Sequence, residues 1–124
     1  MKRILIVEDD ASTVEMLEML FSKSNYAVRV QRNGLSVSEM AKEYCPNLIL
    51  LDGVLPGLDG HSVQKKLLED EETKKIPVIM ISAKAQFEQV FVNEENVVGF
   101  ITKPFSLADL REKVQTAMRK ANSL

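Results

Sequence analysis

A chain of 124 residues with 45% apolar and 27% charged side chains carries enough hydrophobic material for one packed core and too much for a disordered segment, so a single domain over residues 1–124 is expected. The net charge is −2, and basic residues fall in short scattered pairs (Lys65-Lys66, Lys74-Lys75, Arg119-Lys120). That excludes the concentrated cationic face needed for direct nucleic-acid binding and points to proteins as partners. No apolar run approaches the roughly 20 residues of a membrane span, and Met1-Lys2-Arg3 leads into only about five apolar residues, short of a signal-peptide core. No membrane association and a cytoplasmic location are therefore expected.

Ile4-Leu5-Ile6-Val7 is apolar throughout, as a strand is when helices cover both faces of a parallel sheet. It runs into Glu8-Asp9-Asp10, and Asp10 is placed to cap a first helix carrying Val14, Leu17, Leu20 and Phe21 at helical spacing. Ala27-Val28-Arg29-Val30 alternates in polarity and suits an edge strand. Val37, Met40, Ala41 and Tyr44 mark a second helix, and the lone Cys45 before Pro46 excludes an internal disulfide and reads as a small space-filler. Leu48-Ile49-Leu50-Leu51 is again fully apolar and delivers Asp52 to the turn Gly53-Val54-Leu55-Pro56-Gly57, which holds the carboxylate at the mouth of the strand.

Asp59-Gly60 gives a polar start to a third helix through Val63 and Leu67, with His61, the only histidine, on its surface. Val78-Ile79-Met80-Ile81 runs into Ser82, and Phe87, Val90 and Phe91 mark a fourth helix. The mixed run Val97-Val98-Gly99-Phe100-Ile101 suits the opposite edge and leads into Thr102-Lys103-Pro104. Ser106 with Asp109 makes a capping-box-like start for a last helix carrying Leu107, Leu110, Val114 and Met118, and Ala121 to Leu124 is expected to fray or to begin a linker. Five strands alternating with five helices imply right-handed crossovers and an α/β fold, a doubly wound three-layer α/β/α sandwich on a parallel sheet.

In such a sheet ligands bind outside the carboxyl ends of the strands. There the sequence puts Glu8, Asp9 and Asp10 after the first strand and Asp52 after the third, and neighbouring strands lie about 4.8 Å apart, so these acids converge. Their repulsion calls for a hard divalent cation with oxygen ligands, Mg²⁺ with Mn²⁺ as a substitute. Taken alone, Glu8-Asp9-Asp10 reads as a solvated turn and a helix cap. The ammonium of Lys103 at the end of the fifth strand and the hydroxyl of Ser82 at the end of the fourth turn it into a set: acids for a metal, a carboxylate that can attack, a donor and a cation.

That set resembles the receiver (CheY-like) domain of two-component response regulators from about Lys2 through Met118. The likeness rests on Val7-Glu8-Asp9-Asp10, Asp52 with Pro56 and Asp59-Gly60 downstream, Ser82-Ala83, and Lys103-Pro104-Phe105, in the family's order and close to its spacing. It implies a flavodoxin-like sheet of order 2-1-3-4-5 and a phosphoacceptor at Asp52. The donor would be a phosphohistidine on a sensor histidine kinase or phosphotransfer protein, or acetyl phosphate. Asp9, Asp52 and the Val54 backbone carbonyl would hold the metal, with Glu8 acting partly through water. Lys103 would cover one phosphoryl oxygen, the Ser82 hydroxyl and Ala83 N–H would meet another, and Phe100 would be the switch aromatic that turns into the space Ser82 vacates.

On the same resemblance the chain is a switch that controls a downstream protein or an output domain outside these residues, and its only catalysis is its own phosphorylation and dephosphorylation. Val54 and Lys84 would flank the hydrolytic water, and an apolar Val54 cannot orient it, so slow self-dephosphorylation is expected. Val97-Val98-Gly99 replaces the Ala-Asp-Asp of family members that dimerise through this region, which removes their ion pairs and leaves a monomer or a phosphorylation-dependent dimer. The segment from Ser82 to Lys103 is slightly short, so the fourth helix is expected to be short, distorted or displaced. Phe87, Val90, Phe91, Val97 and Val98 are core candidates first and a partner surface second. Three rivals compete. A haloacid-dehalogenase-type phosphatase wants a second Asp where Val54 stands, a flavodoxin-like cofactor carrier would find Glu8-Asp9-Asp10 repelling its phosphate, and an unphosphorylated interaction module leaves the acid, hydroxyl and lysine set without a use.

Overall fold

Alternate residues of a strand face opposite sides of its sheet, so a strand that is apolar at every position must be covered twice. The computed structural model describes residues 1–122. Its strands β1 (Arg3–Val7), β2 (Ala27–Gln31), β3 (Leu48–Asp52), β4 (Val78–Ser82) and β5 (Val97–Thr102) form one parallel sheet in the order β2-β1-β3-β4-β5. Helices α1 (Ala11–Lys23), α2 (Val37–Tyr44), α3 (Gly60–Glu69), α4 (Glu88–Phe91) and α5 (Leu107–Asn122) connect and flank them. The expected alternation, strand order and edge positions of β2 and β5 are all present.

Each face of the sheet has its own core. Ile4, Ile6, Leu48, Leu50, Ile79, Ile81 and Ile101 pack against Leu17 and Phe21 of α1 and Leu110, Val114 and Met118 of α5. The intervening residues Leu5, Val7, Ile49, Leu51, Met80 and Phe100 pack against Val37 and Ala41 of α2, Val63 and Leu67 of α3, and Phe91 of α4. Burying each such aliphatic side chain contributes about 1.5–3 kcal/mol, so the central strands are the rigid frame on which the loops at their ends are mounted. A slip of one residue would exchange the two cores, which fixes the register.

Helix ends follow the capping expectations. Asp10 accepts from the Thr13 N–H at 2.9 Å, Asp59 from the Ser62 N–H at 3.0 Å, and Ser106 from the Asp109 N–H at 3.0 Å. The backbone of Ala121 and Asn122 continues α5, so the expected fraying does not begin at Ala121, while Ser123 and Leu124 lie outside the described residues. Among the described residues no helix is long and apolar enough to cross a membrane.

Three readings of the sequence are corrected. Cys45 is exposed rather than space-filling: α2 ends there in a left-handed turn at φ 52°, with the Cys45 N–H on the Ala41 carbonyl, and the side chain faces out. The fourth helix is short, as the length of the Ser82 to Lys103 segment led one to expect, a 3-10 turn over Ala85–Phe87 and one α-turn, and it is the apolar stripe on it and on its neighbours that is corrected. A single turn can aim one residue of its stripe at the sheet, so Phe91 is buried while Phe87 and Val90 stay exposed, as does Val98 on β5. Leu107, in the first turn of α5, is likewise exposed.

Candidate functional site

The register of the sheet brings four strand ends to one edge. Val7 pairs with Leu51, Asp52 with Ile81, and Ser82 with Thr102, so Glu8 and Asp52 leave the sheet at one height, with Ser82 one residue and Lys103 two residues further along the same edge. Backbone bonds extend the ladder past the strands: the Glu8 N–H donates to the Gln31 carbonyl, Gly53 N–H to Ile81 and Lys103 N–H to Ser82. The side chains are thus placed by buried strands rather than by free loops.

Glycines set the walls. Gly60 opens α3 with its Cα so close to β3 that a Cβ would stand 2.3 Å from the Asp52 carbonyl oxygen and 2.6 Å from Gly53 Cα, which no side chain can occupy. Gly57 completes the turn after Asp52 at φ +86°, a region L side chains rarely adopt. The helix can therefore start directly against the backbone of the acid it supports.

Glu8, Asp9 and Asp52 each offer a carboxylate oxygen within 4.8 Å of the others. Glu8 and Asp52 are buried, at 2% and 5% exposure, whereas Asp9 is exposed. One cation already stands among them: Lys103 Nζ lies 2.8 Å from Glu8 Oε1 and 3.0 Å from Asp52 Oδ2. The second oxygen of each buried carboxylate is engaged as well. Glu8 Oε2 accepts from the N–H groups of Asp9 and Asp10 at 3.1 Å each, and Asp52 Oδ1 accepts from the Val54 N–H at 3.0 Å.

The electrostatics follow. Burial pushes the Glu8 carboxyl above the usual carboxylate range, and the neighbouring Asp52 reinforces this against the pull of Lys103 and the Asp10 N–H. Burial works to lower Lys103 too, but its bonds to Glu8 and Asp52 outweigh that and hold the ammonium above its ordinary value. Asp10 is held low by the Thr13 hydroxyl and N–H and serves the helix rather than the cluster. Three hard anionic oxygen donors with a single lysine between two of them suit a small divalent cation, and the chemistry of the donor set fits Mg²⁺ or Mn²⁺.

The other residues singled out in the sequence surround this cluster. Ser82 is fully buried, with its hydroxyl accepting from the Lys84 N–H at 3.1 Å, and Ala83 follows it on the exposed loop. Phe100 is 8% exposed and stacks on Phe91 with ring centres 6.2 Å apart. Val54 is 60% exposed beside Asp52, and the Lys84 ammonium lies over the Phe87 ring. Asp52 is less open than a free nucleophile at a strand mouth would be, because Lys103 covers one oxygen and the Val54 N–H the other.

Sequence reasoning passed over a buried polar pair next to the site. Gln64 of α3 and Asn96, just before β5, are 0% and 4% exposed and bonded to each other. Gln64 shares a helical stripe with Gly60 and Leu67, and an amide interrupting such a stripe was the available signal.

The chain matches the family model described as "Response regulator receiver domain" over residues 4–115. The polar-differentiation response regulator DivK of Brucella anthropi is 32% identical over 121 residues, which cover 97% of this chain and 98% of DivK. The DNA-binding dual master transcriptional regulator RpaA of Synechocystis is 30% identical over the whole chain, which spans 52% of its length, and PleD of Caulobacter vibrioides is 34% identical over 26% of its length. Among solved structures, a CheY-like receiver domain protein from Methanospirillum hungatei superposes with a TM-score of 0.89 at 25% identity, over 99% of this chain and 98% of that one. The receiver domain of the sensor histidine kinase PA1611 from Pseudomonas aeruginosa superposes with a TM-score of 0.84 at 25% identity over 94% and 97%, and carries a magnesium ion coordinated in its active site cleft.

Proposed function

Because this chain belongs to the response regulator receiver domain family, whose members are signalling switches of two-component systems rather than conventional enzymes, we propose that Asp52 is its phosphoacceptor. The observation that carries this reading is the cluster itself: a buried aspartate at the end of a central strand, within 4.8 Å of Glu8 and Asp9 and bonded at 3.0 Å to Lys103. In the transfer, an Asp52 oxygen forms a bond to phosphorus as the bond from phosphorus to the donor breaks. The donor is a phosphohistidine of a sensor histidine kinase or phosphotransfer protein, or acetyl phosphate. Glu8, Asp9, Asp52 and the Val54 carbonyl are the residues to hold Mg²⁺ or Mn²⁺, which offsets charge on the phosphoryl oxygens when bound.

The chain's own groups do the positioning. The Val54 N–H on Oδ1 aims the carboxylate, and Lys103 must exchange its contact with Oδ2 for one with the incoming phosphoryl group, which suits a point charge on a flexible stem. Once the group is attached, its oxygens are strong acceptors for the Ser82 hydroxyl and the Ala83 N–H, and the loop after β4 is drawn toward them. Phe100, behind that loop, reports the change. The exposed Val54 offers no side-chain hydrogen bond to an attacking water, which supports a long-lived phosphoryl group.

Residues 1–124 are read as a single receiver domain, working in the cytoplasm as a monomer or a phosphorylation-dependent dimer, and acting on a downstream protein or on an output domain outside these residues rather than on nucleic acid directly. Intact-mass measurement after incubation with acetyl phosphate and Mg²⁺ tests the reading. The wild type gains one phosphoryl group and Asp52→Asn gains none. An unmodified wild type under several donors would favour a passive interaction module.

A further inference from the structure

The segment between β4 and β5 has little of its own to hold it. Residues 83–90 are exposed, and its regular structure is two successive turns. Its buried side chains are Phe91 and Asn96, and both are gripped by α3. The His61 ring meets Phe91 edge-on with centres 5.4 Å apart and planes at 87°. Gln64 Nε2 donates to Asn96 Oδ1 at 2.9 Å, and Asn96 Nδ2 donates back to the Gln64 carbonyl at 3.3 Å. Lys65 adds an outer ion pair to Glu94 at 3.6 Å.

The reciprocal amide pair specifies position rather than adding cohesion. Gln64 Oε1 is buried without a partner among the described residues, so an apolar pair would fill the same space without leaving an acceptor unmet. What the amides supply is a single seating, because the two-way bond forms at one register of the linker against the helix. Asn96 immediately precedes β5, and its carbonyl accepts from the Val78 N–H at 2.8 Å, so the seating is passed on to the strand that carries Phe100 and leads into Lys103. Phe91 touches His61 on one side and stacks on Phe100 on the other.

We propose that α3, through His61 and Gln64, clamps the Phe91–Phe100 pair, so that phosphorylation at Asp52 is read out on α3. The proposal rests on the reading of Asp52 as phosphoacceptor. His61 and Gln64 are positioning residues: they touch no reacting atom, and they set where the ring that contacts Phe100 can lie. A displacement of Phe100 must move Phe91, and Phe91 moves against the His61 ring. The fourth helix is a single turn, and α3 is the neighbour against which its one buried ring is packed edge-on.

Hydrogen exchange read by mass spectrometry, with and without acetyl phosphate and Mg²⁺, tests this on the full chain, with the phosphorylated fraction counted by intact mass. Phosphorylated wild type is expected to change its exchange by about threefold or more in peptides covering 61–69 as well as 97–102. His61→Ala, a surface change in a helix, and Phe91→Leu, which keeps apolar bulk, are expected to accept the phosphoryl group and retain the change at 97–102 while losing it at 61–69. A merely structural role would instead shift 61–69 equally in both states. Phosphorylated wild type with 61–69 unchanged, or variants with the full wild-type response, would overturn the clamp alone. A wild type that stays unmodified would overturn the clamp together with the reading of Asp52.

Discussion

Asp52→Asn should make the metal-free protein more stable while removing most of its response to Mg²⁺. The substitution forfeits the attraction of Lys103 Nζ for Asp52 Oδ2 at 3.0 Å, about 5.5 kcal/mol at an effective dielectric constant of about 20. It relieves the repulsion from Glu8, whose oxygen lies within 4.8 Å, about 3.5 kcal/mol on the same scale, and the solvent-screened repulsion from Asp9. It also removes the desolvation penalty of a carboxylate that is 7% exposed, several kcal/mol per buried ion. The balance favours the variant by about 1–3 kcal/mol, a rise in melting temperature of about 3–10 °C for a domain of this size. Wild type should recover about 1.4 kcal/mol at a Mg²⁺ concentration about ten times its dissociation constant, and the variant less than half of that. Thermal unfolding followed by circular dichroism, in EDTA and in excess MgCl₂, reads both effects. A variant that melts below wild type in EDTA would refute the reasoning, because it would mean that the attraction of Lys103 outweighs the repulsion and the desolvation that the Asp52 carboxylate bears together.

Lys103→Met should act in the opposite sense. It strips the cation from two buried carboxylates, which costs about 3–5 kcal/mol for a fully buried pair and about 2–3 kcal/mol here, where the lysine side chain is 25% exposed; urea unfolding should show the loss shrinking when Mg²⁺ is added. Gly60→Ala forces a Cβ onto the Asp52 carbonyl and should cost about 2–3 kcal/mol in urea unfolding, with slower phosphorylation, despite alanine's better helix propensity. Asp59→Ala removes the cap of α3 and should cost about 1 kcal/mol. The Ser62 N–H holds the Asp59 carboxyl below its ordinary value, so the cap's contribution is fully present above pH about 5 and is lost as pH falls through the lower folded value. The difference between wild type and variant should therefore be flat from pH about 5 to 8 and vanish in stronger acid, as pH-dependent urea melts would show.

Much of this was legible in the chain. Strands buried on both faces announce themselves as unbroken apolar runs, so β1, β3 and β4 and the residues at their ends could be placed, and with them Glu8, Asp52 and Ser82. The convergence of Glu8, Asp9 and Asp52 followed from strand spacing alone. Less legible was what a pattern cannot scale. The length of the Ser82 to Lys103 segment announced a short fourth helix, but the helical spacing of Phe87, Val90 and Phe91 could not say which of them a single turn would bury, and it is Phe91. Cys45 was misread because composition cannot show that the backbone turns left-handed before Pro46. Gln64 and Asn96 are far apart in sequence, and neither carries a signal that the other is its partner. The seating of Lys103 on both Glu8 and Asp52 was likewise hidden, since strand order places the lysine near the site without choosing its contacts.

The central claim is that the carboxylate of Asp52 becomes an acyl phosphate, and borohydride trapping tests it most directly, since that reagent reduces an aspartyl phosphate to homoserine. Peptide mapping of the phosphorylated, reduced protein should find homoserine at position 52 and unmodified aspartate at positions 9 and 10. Homoserine at either of those positions, or at none in a chain whose mass shows phosphorylation, would contradict the account.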